Sequence, residues 1–394
     1  MDHTRKIRIG LFCMTLILLT FGVVMIYSAS AIYADQRYGD SAYFLKRHLI
    51  SLAIGVVACV GVMLIDYRQL RRFTVPILIA AVLGLVVVLI PQWTQLAGGA
   101  RRWFPVMGFH IQPSEFAKVA LFLYLTNAIS IKTFELNDLR GTILPLSIIP
   151  LGIIFLVLLQ PDLGTAVTMG GIFLLLLFAA GLNYRYILLL IGIALVLFTL
   201  AVLIEPYRMQ RIASFLHPWE NRQGAGFQLW QSFLALGSGG WTGVGLGQSQ
   251  QKLFYLPAAH TDFIFSIIGE ELGFFGAGLV ILSFVGFLYF GFMIVIRCPD
   301  RFGQLFSLSL VSLVGMEAII NIGVSLGALP TKGLALPFIS YGGSSLIVKL
   351  ICVGLLLNIS RDAEAPSFSK KFWRFMKLDR VKPPELIRPR LLKE

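Results

Sequence analysis

Charged side chains are scarce in this sequence. Of its 394 residues, 13% are Asp, Glu, Lys or Arg, against about 25% in an average soluble domain. That excludes an ordinary water-facing surface over most of the chain. Cysteine is sparse as well. Cys13, Cys59, Cys298 and Cys352 each fall in or beside an apolar run, with no CxxC spacing. They read as unpaired thiols, and a disulfide framework or a cysteine-based metal or redox motif is excluded. There is no zinc-finger spacing and no polar domain, so the formal charge of +13 has no surface on which to engage nucleic acid.

What fills the chain instead is apolar. Hydrophobic residues make up 57% and the mean hydropathy is +0.81. In hydrocarbon every backbone amide must be satisfied internally, which leaves helices or closed barrels. Apolar runs of about 18 residues or more select helices. The sequence therefore predicts an all-α polytopic membrane protein with ten spans, near 9–29, 48–65, 74–91, 115–131, 143–159, 163–181, 187–204, 264–296, 304–326 and 344–360. The eighth is too long for one simple crossing, and its first part, through Gly273, is expected in a cavity or at the interface. Arg5, Lys6 and Arg8 ahead of an apolar stretch, with Ser28-Ala29-Ser30-Ala31 after it, mimic a secretory signal. The length of that stretch and the spans that follow favour an uncleaved first span.

Lys and Arg set the orientation. With the N-terminus inside, the inner segments carry 21 of the 33 basic residues, ten of them from Arg361 onward, and the outer segments carry ten. Both termini are then cytoplasmic. The chain divides into a membrane domain, 1–360, and a basic tail, 361–394, whose composition suits contact with anionic lipid. Three outer loops are rich in polar residues and glycine, about Pro91–Ser114, Glu205–Asp262 and Leu326–Gly343. The middle one, between spans 7 and 8, is the longest. Its aromatic residues, among them Trp219, Trp230 and Trp241, predict packing on the membrane surface.

Ionisable residues inside spans are functional candidates by default. Glu115 and Lys118 stand three apart, on one helix face. They form either a structural ion pair or part of a site wall. Asp162 follows a tight turn and either caps the next helix or takes part in chemistry. Asp262 closes the longest loop. It stands where a helix cap would, without the Glu or Gln that completes a capping box, and equally where a base would meet a hydroxyl of a lipid-anchored substrate. Arg101, Arg102, Arg208, Arg211 and Lys332 lie in outer loops. Guanidinium groups there either clamp a phosphate bidentately or snorkel to headgroups. The stretch Gly237–Gly247 contains GxGxxG-like spacing but follows no βαβ pattern, so it does not mark a dinucleotide site. Ser340-Tyr341-Gly342-Gly343-Ser344-Ser345 precedes the last span. It offers backbone amides to an anion or makes a close-packed turn.

Five stretches taken together are specific: Gln112-Pro113-Ser114-Glu115, Gln160-Pro161-Asp162-Leu163-Gly164-Thr165, His260-Thr261-Asp262-Phe263-Ile264-Phe265, Leu329-Pro330-Thr331-Lys332-Gly333 and Pro337–Ser345. In order and spacing they resemble the SEDS family (shape, elongation, division and sporulation) over about residues 9–360. Gly245–Ser249, Gln251-Lys252-Leu253 and Ile268–Gly273 look most like its division and sporulation branch. Ala258 departs from relatives, which often carry an acid there. The resemblance implies a peptidoglycan glycosyltransferase of the bacterial inner membrane that polymerises lipid II outside the cytoplasm, at the division septum. It implies that Asp262 is catalytic and carries the general-base role. It suggests substrate contacts from Arg102, Glu115, Lys118, Asp162, Arg208, Arg211, His260, Lys332, Ser340 and Ser344. A Mg²⁺ or Mn²⁺ ion bridging phosphate oxygens is a further expectation, with no organic cofactor. The implied partners are a class B penicillin-binding protein transpeptidase and other division-complex proteins. A lipid II flippase and a non-catalytic scaffold for the transpeptidase are the competing readings.

Overall fold

The computed structural model describes residues 3–91, 94–97, 100–106, 109–131, 139–204, 206–220, 224, 226–253, 256–257 and 259–362. The basic tail beyond Asp362 and Ala258 lie outside that set. Among the described residues twelve α-helices run α1 (His3–Tyr38), α2 (Tyr43–Leu64), α3 (Thr74–Val88), α4 (Pro113–Ile131), α5 (Leu144–Leu159), α6 (Leu163–Ala180), α7 (Tyr184–Ile204), α8 (Pro206–Leu216), α9 (Phe227–Gly239), α10 (Ile264–Arg297), α11 (Arg301–Ser325) and α12 (Gly343–Ile359). Ten of them coincide with the ten expected spans. Among the described residues, nine of the ten are long and apolar enough to cross a membrane by length and hydropathy alone. The tenth, α4, falls outside that set and carries Glu115 and Lys118 in a buried stripe.

α11 and α12 are the hub. Within their most apolar windows, 72% and 78% of residues are buried, against 6% for α7, which turns almost all of its surface outward. Lipid tails are as apolar as Leu, so helices in a membrane associate through close packing at small residues. The packing of α12 on α2 follows that rule. A Cβ added at Gly354 would lie 2.6 Å from the Cys59 carbonyl oxygen.

Two of the outer loops hold structure that the residue pattern did not announce. The first contains a small antiparallel sheet, β1 (Gln95–Ala97), β2 (Ala100–Val106) and β3 (Phe109–Ile111), in the order β1-β2-β3. Trp103 pairs with Gln95 and Phe104 with Ile111. Aromatic and β-branched residues at short spacing favour strands, but runs this short carry little period. The long loop holds α8 and α9 and packs on α10. By connectivity these loops share one end of the bundle with the α1–α2, α5–α6 and α11–α12 turns.

α10 breaks at Gly273, where φ is 66° and ψ is −164°, a conformation that favours glycine. Ile264–Glu271 before the break are all buried. This short segment enters the protein instead of crossing in line with the rest. Breaking a helix frees backbone groups that hydrocarbon cannot satisfy, and the long loop takes them up. Val244 N–H donates to Glu270 O and Gly245 N–H to Glu271 O, each at 3.0 Å; Phe274 N–H donates to Gly240 O at 2.9 Å and Phe275 N–H to Trp241 O at 3.2 Å. Side chains reinforce the seam. Glu271 accepts from Lys252 Nζ at 2.8 Å and from Ser28 Oγ at 2.7 Å. Glu270 accepts from the Gln250 N–H at 2.9 Å.

An added methyl at Gly273 would meet Gly243 N at 2.3 Å in a left-handed backbone. Gly273→Ala is expected to lose about 1–3 kcal/mol of stability through overpacking. Gly278→Ala, whose methyl meets nothing within 4 Å, should stay within about 0.5 kcal/mol. Thermal unfolding of the purified chain in detergent separates the two, and equal midpoints would contradict the seam.

Candidate functional site

The His260-Thr261-Asp262 segment enters α10 without a side-chain cap. The cap position is Phe263 and carries no side-chain hydrogen bond, which removes the capping reading of Asp262. The segment is held through its carbonyls instead. Tyr341 N–H donates to His260 O at 3.0 Å, Ser340 Oγ to Thr261 O at 2.6 Å, and Asn321 Nδ2 to Asp262 O at 2.8 Å. Asn321 Nδ2 also donates to Leu334 O at 2.7 Å, tying the loop after α11 to the same point. Among the described residues no group is hydrogen-bonded to the Asp262 carboxylate. Gly333 lies directly beside it, and a Cβ there would stand 3.2 Å from Oδ2.

Asp262 forms part of the wall of a cavity of about 800 Å³. Arg102, Asp162, Arg211, Lys332 and Ser344 line it as well. Burial pushes the Asp262 carboxyl up to about 6, against the pull of Arg211 and Arg102 and with a smaller push from Asp162. The two guanidinium groups are anchored by backbone. Arg102 Nε donates to Gln160 O at 3.0 Å, and a second nitrogen reaches Pro161 O. Arg211 Nη1 donates to Thr331 O at 3.1 Å. Lys332 Nζ sits 5.7 Å from the centre of the Phe198 ring. Burial pulls its ammonium below the ordinary lysine range, partly offset by Asp162. α12 starts at Gly343 on the cavity wall, so the positive end of a helix faces the same space. Cations, a helix start and one poised carboxylate in a single cavity suit an anionic ligand whose reacting oxygen gives up a proton.

The remaining expected residues divide. Asp162 caps α6, accepting from Thr165 N–H at 3.2 Å and Thr165 Oγ1 at 2.9 Å, and it also accepts from Gln112 Nε2 at 3.2 Å. The capping reading of Asp162 holds, and the same side chain lies on the cavity wall. Ser344 Oγ accepts from Gln112 N–H at 3.0 Å. Ser340 accepts from Leu336 N–H at 2.8 Å while holding Thr261, and it is not among the lining residues. The His260 ring points elsewhere, 4.6 Å from the Phe44 ring and 5.7 Å from Tyr33. Burial holds its imidazole down to about 4, so it packs as a neutral ring and does not contact the cavity. Arg208 lies on α8 one turn before Arg211, with its side chain outside the described set, as is that of Arg101.

Glu115 and Lys118 are paired at 2.7 Å, but within a larger arrangement. Lys118 also meets Glu317, and Lys349 meets Glu317 at 2.8 Å and Glu115 at 3.1 Å. Two lysines and two glutamates from α4, α11 and α12 close a neutral ring, every member of it buried. Glu115 also reaches the cavity wall; Lys118 does not. Glu317 and Asn321 were not singled out from the sequence. Each is a polar group midway along an apolar run, a signal for function or packing.

The described residues contain no group of three His, Cys, Asp or Glu side chains placed to hold a metal ion. Asp162 already spends its oxygens on Thr165 and Gln112. The described residues therefore offer no all-protein cage for Mg²⁺ or Mn²⁺, whereas an ion that bridges substrate phosphates needs only one or two carboxylates.

The chain matches the family model described as "Cell cycle protein", that of FtsW, RodA and SpoVE, over residues 9–365. It is 45% identical over 347 residues to "Probable peptidoglycan glycosyltransferase FtsW" of Geobacter metallireducens, covering 88% of this chain and 92% of that one. It is 43% identical to "Stage V sporulation protein E" of Bacillus subtilis, covering 89% and 96%. Among solved structures it superposes on the rod shape determining protein RodA of Thermus thermophilus with a TM-score of 0.66 at 28% identity, covering 91% and 97%. A chain of a peptidoglycan synthase complex that coordinates polymerization and crosslinking gives a TM-score of 0.74 at 28% identity, covering 90% and 97%.

Removing one member of a buried ion cluster leaves an unpaired charge and costs about 3–5 kcal/mol. Glu317→Gln and Lys349→Met are each expected to destabilise on that scale. The double variant restores neutrality and should lie closer to the wild type than either single. Unfolding midpoints of all four proteins in detergent test this, and additive losses would contradict the ring.

Proposed function

The chain belongs to the cell cycle protein family of FtsW, RodA and SpoVE, and from that premise we propose that it is a septal peptidoglycan glycosyltransferase which polymerises lipid II. The observation that carries the reading is the Asp262 carboxylate. Its backbone is clamped, its oxygens are unclaimed among the described residues, and it shares a cavity with Arg102, Arg211 and Lys332.

The donor carries its sugar α-linked to a lipid pyrophosphate, and the product bond is β-1,4. One displacement with inversion accounts for that change, by analogy with inverting glycosidases. The acceptor 4-hydroxyl oxygen attacks the donor anomeric carbon. The bond from that carbon to the pyrophosphate oxygen breaks, and its electron pair leaves with the pyrophosphate. The hydroxyl proton passes to Asp262. A carboxyl whose affinity for protons sits near the working pH is suited to this step, and such a base contributes about 10²–10⁴-fold. The leaving group needs charge stabilisation more than a proton. Arg102, Arg211 and the start of α12 supply it from fixed positions, with Lys332 beside them.

The excess of basic residues in the alternate loops supports cytoplasmic termini and a cavity on the outer side of the bacterial inner membrane. The synthase complex among the similar structures supports a class B penicillin-binding protein as the cross-linking partner. Outward-facing α7, with Phe198 and Val202 on the cavity wall, gives the lipid chains of the substrate an apolar approach.

The test uses the purified chain, its transpeptidase partner and labelled lipid II. Glycan ladders are expected with the wild type and absent with Asp262→Asn, while the complex still elutes intact. Ladders from the variant would overturn the base assignment. Translocation of lipid II without polymer would favour a flippase.

A further inference from the structure

The α1–α2 tip carries a cluster that the reaction above leaves unused. The uncharged run of α1 ends at Ala34, yet the helix continues to Tyr38. Four further residues at 1.5 Å each lift its end about 6 Å beyond that run. The first turn of α2, from Tyr43, also precedes its own apolar run. The rings here are Tyr33, Tyr38, Tyr43 and Phe44. Tyr38 and Tyr43 stack face to face at 4.0 Å, and Tyr38 is 46% exposed. Tyr43 meets Phe44 at 5.3 Å, and Phe44 meets Tyr341 at 5.0 Å. Tyr341 lines the catalytic cavity. A line of contacting aromatic rings, with Phe44 buried at its middle, therefore joins the cavity to an exposed outer ledge.

Cations accompany the rings. Arg47 lies 4.5 Å from the Tyr43 ring centre. Arg37 lies 5.8 Å from that of Tyr33 and 6.0 Å from that of Tyr38, and donates to the Tyr33 hydroxyl at 2.6 Å. The acids of the tip are Asp35 and Asp40, and Asp40 is already paired with Lys46 at 2.7 Å. Interfacial aromatic belts stand level with headgroups, whereas this ledge projects past the apolar runs. Tyr38 offers a broad, stiff face with a hydrogen-bonding end, and its stack on Tyr43, itself backed by Arg47, holds it in place before any ligand arrives, which lowers the ordering cost of binding. Pyranose rings present apolar C–H faces to aromatic rings and hydroxyls to polar ends, and carboxylates pair with guanidinium.

We infer that this ledge binds the glycan already polymerised, a run of sugars bearing anionic peptide stems, as it leaves the cavity along Tyr341, Tyr43 and Tyr38. The inference rests on the polymerase reading for its ligand, but its test does not need turnover. Short, lipid-free, un-cross-linked glycan oligomers are titrated into the detergent-purified full chain carrying Asp262→Asn. Oligomers should bind. Tyr38→Ala with Tyr43→Ala should weaken them about tenfold, and Tyr38→Trp, which keeps a stacking face, should hold affinity within about twofold. In the active chain the Ala pair should also give shorter strands. Affinity unchanged by the Ala pair would overturn the ledge. So would a variant that binds oligomers normally but no longer recovers the transpeptidase, since the surface would then belong to a protein. If the Ala pair fails to fold, Arg37→Gln carries the same test, with weaker binding expected and unchanged binding contrary. If oligomer binding follows these variants but the wild-type chain with its partner makes no polymer from lipid II, the polymerase reading falls and the ledge stands.

Discussion

Three consecutive carbonyls, those of His260, Thr261 and Asp262, are each held by a hydrogen bond from α11 or from the loop that leads on to α12. Everything else about the site depends on that clamp. It fixes a carboxylate through its backbone, so the side chain needs no structural partner and stays available. It also joins two segments far apart in sequence, because Asn321 holds Leu334 with the same amide nitrogen. Gly333 therefore stands beside Asp262 as part of the same local structure, and Lys332 lines the same cavity. Pre-positioned groups need no reorganisation at the moment of reaction, and fixed charge contributes most under that condition.

The membrane imposes the second constraint. Polar groups inside the bundle have little water to fall back on, and two features there carry built partners. The interrupted ladder of α10 at Gly273 is completed by residues 240–245. The four buried charges of α4, α11 and α12 close on one another. Glu115 belongs to that ring and also to the cavity wall, so the charge lock of the bundle and the floor of the site share a residue. An ion network of this kind fixes relative helix positions more than it adds stability, which is what a site built from several helix ends requires.

Much of this was legible in the residues. Ten apolar runs gave ten helices, because in hydrocarbon a long apolar run has hardly any other outcome. The pairing of Glu115 with Lys118 followed from helical spacing. Asp162, Asp262, Arg102, Arg211 and Lys332 come together in one cavity, although only the family resemblance linked them beforehand. What stayed hidden was of two kinds. Long-range partners leave no periodic trace, so Glu317 and Asn321 went unmarked although each is a polar group in an apolar run. Local context also decided some residues against type. His260 is flanked by catalytic-looking neighbours, yet its ring is claimed by Phe44 and Tyr33. The sheet of residues 95–111 was too short to show a period.

The central claim is that Asp262 works as a base whose proton affinity is raised by burial. A base must be unprotonated to act, so activity should fall as pH drops through about 6, the value to which burial lifts this carboxyl. The direct measurement is kcat/KM for lipid II polymerisation as a function of pH, which reports the free enzyme. The account predicts an acid limb near pH 6, with about a tenfold loss per unit below it. A profile flat from about pH 5 to 8 would contradict it.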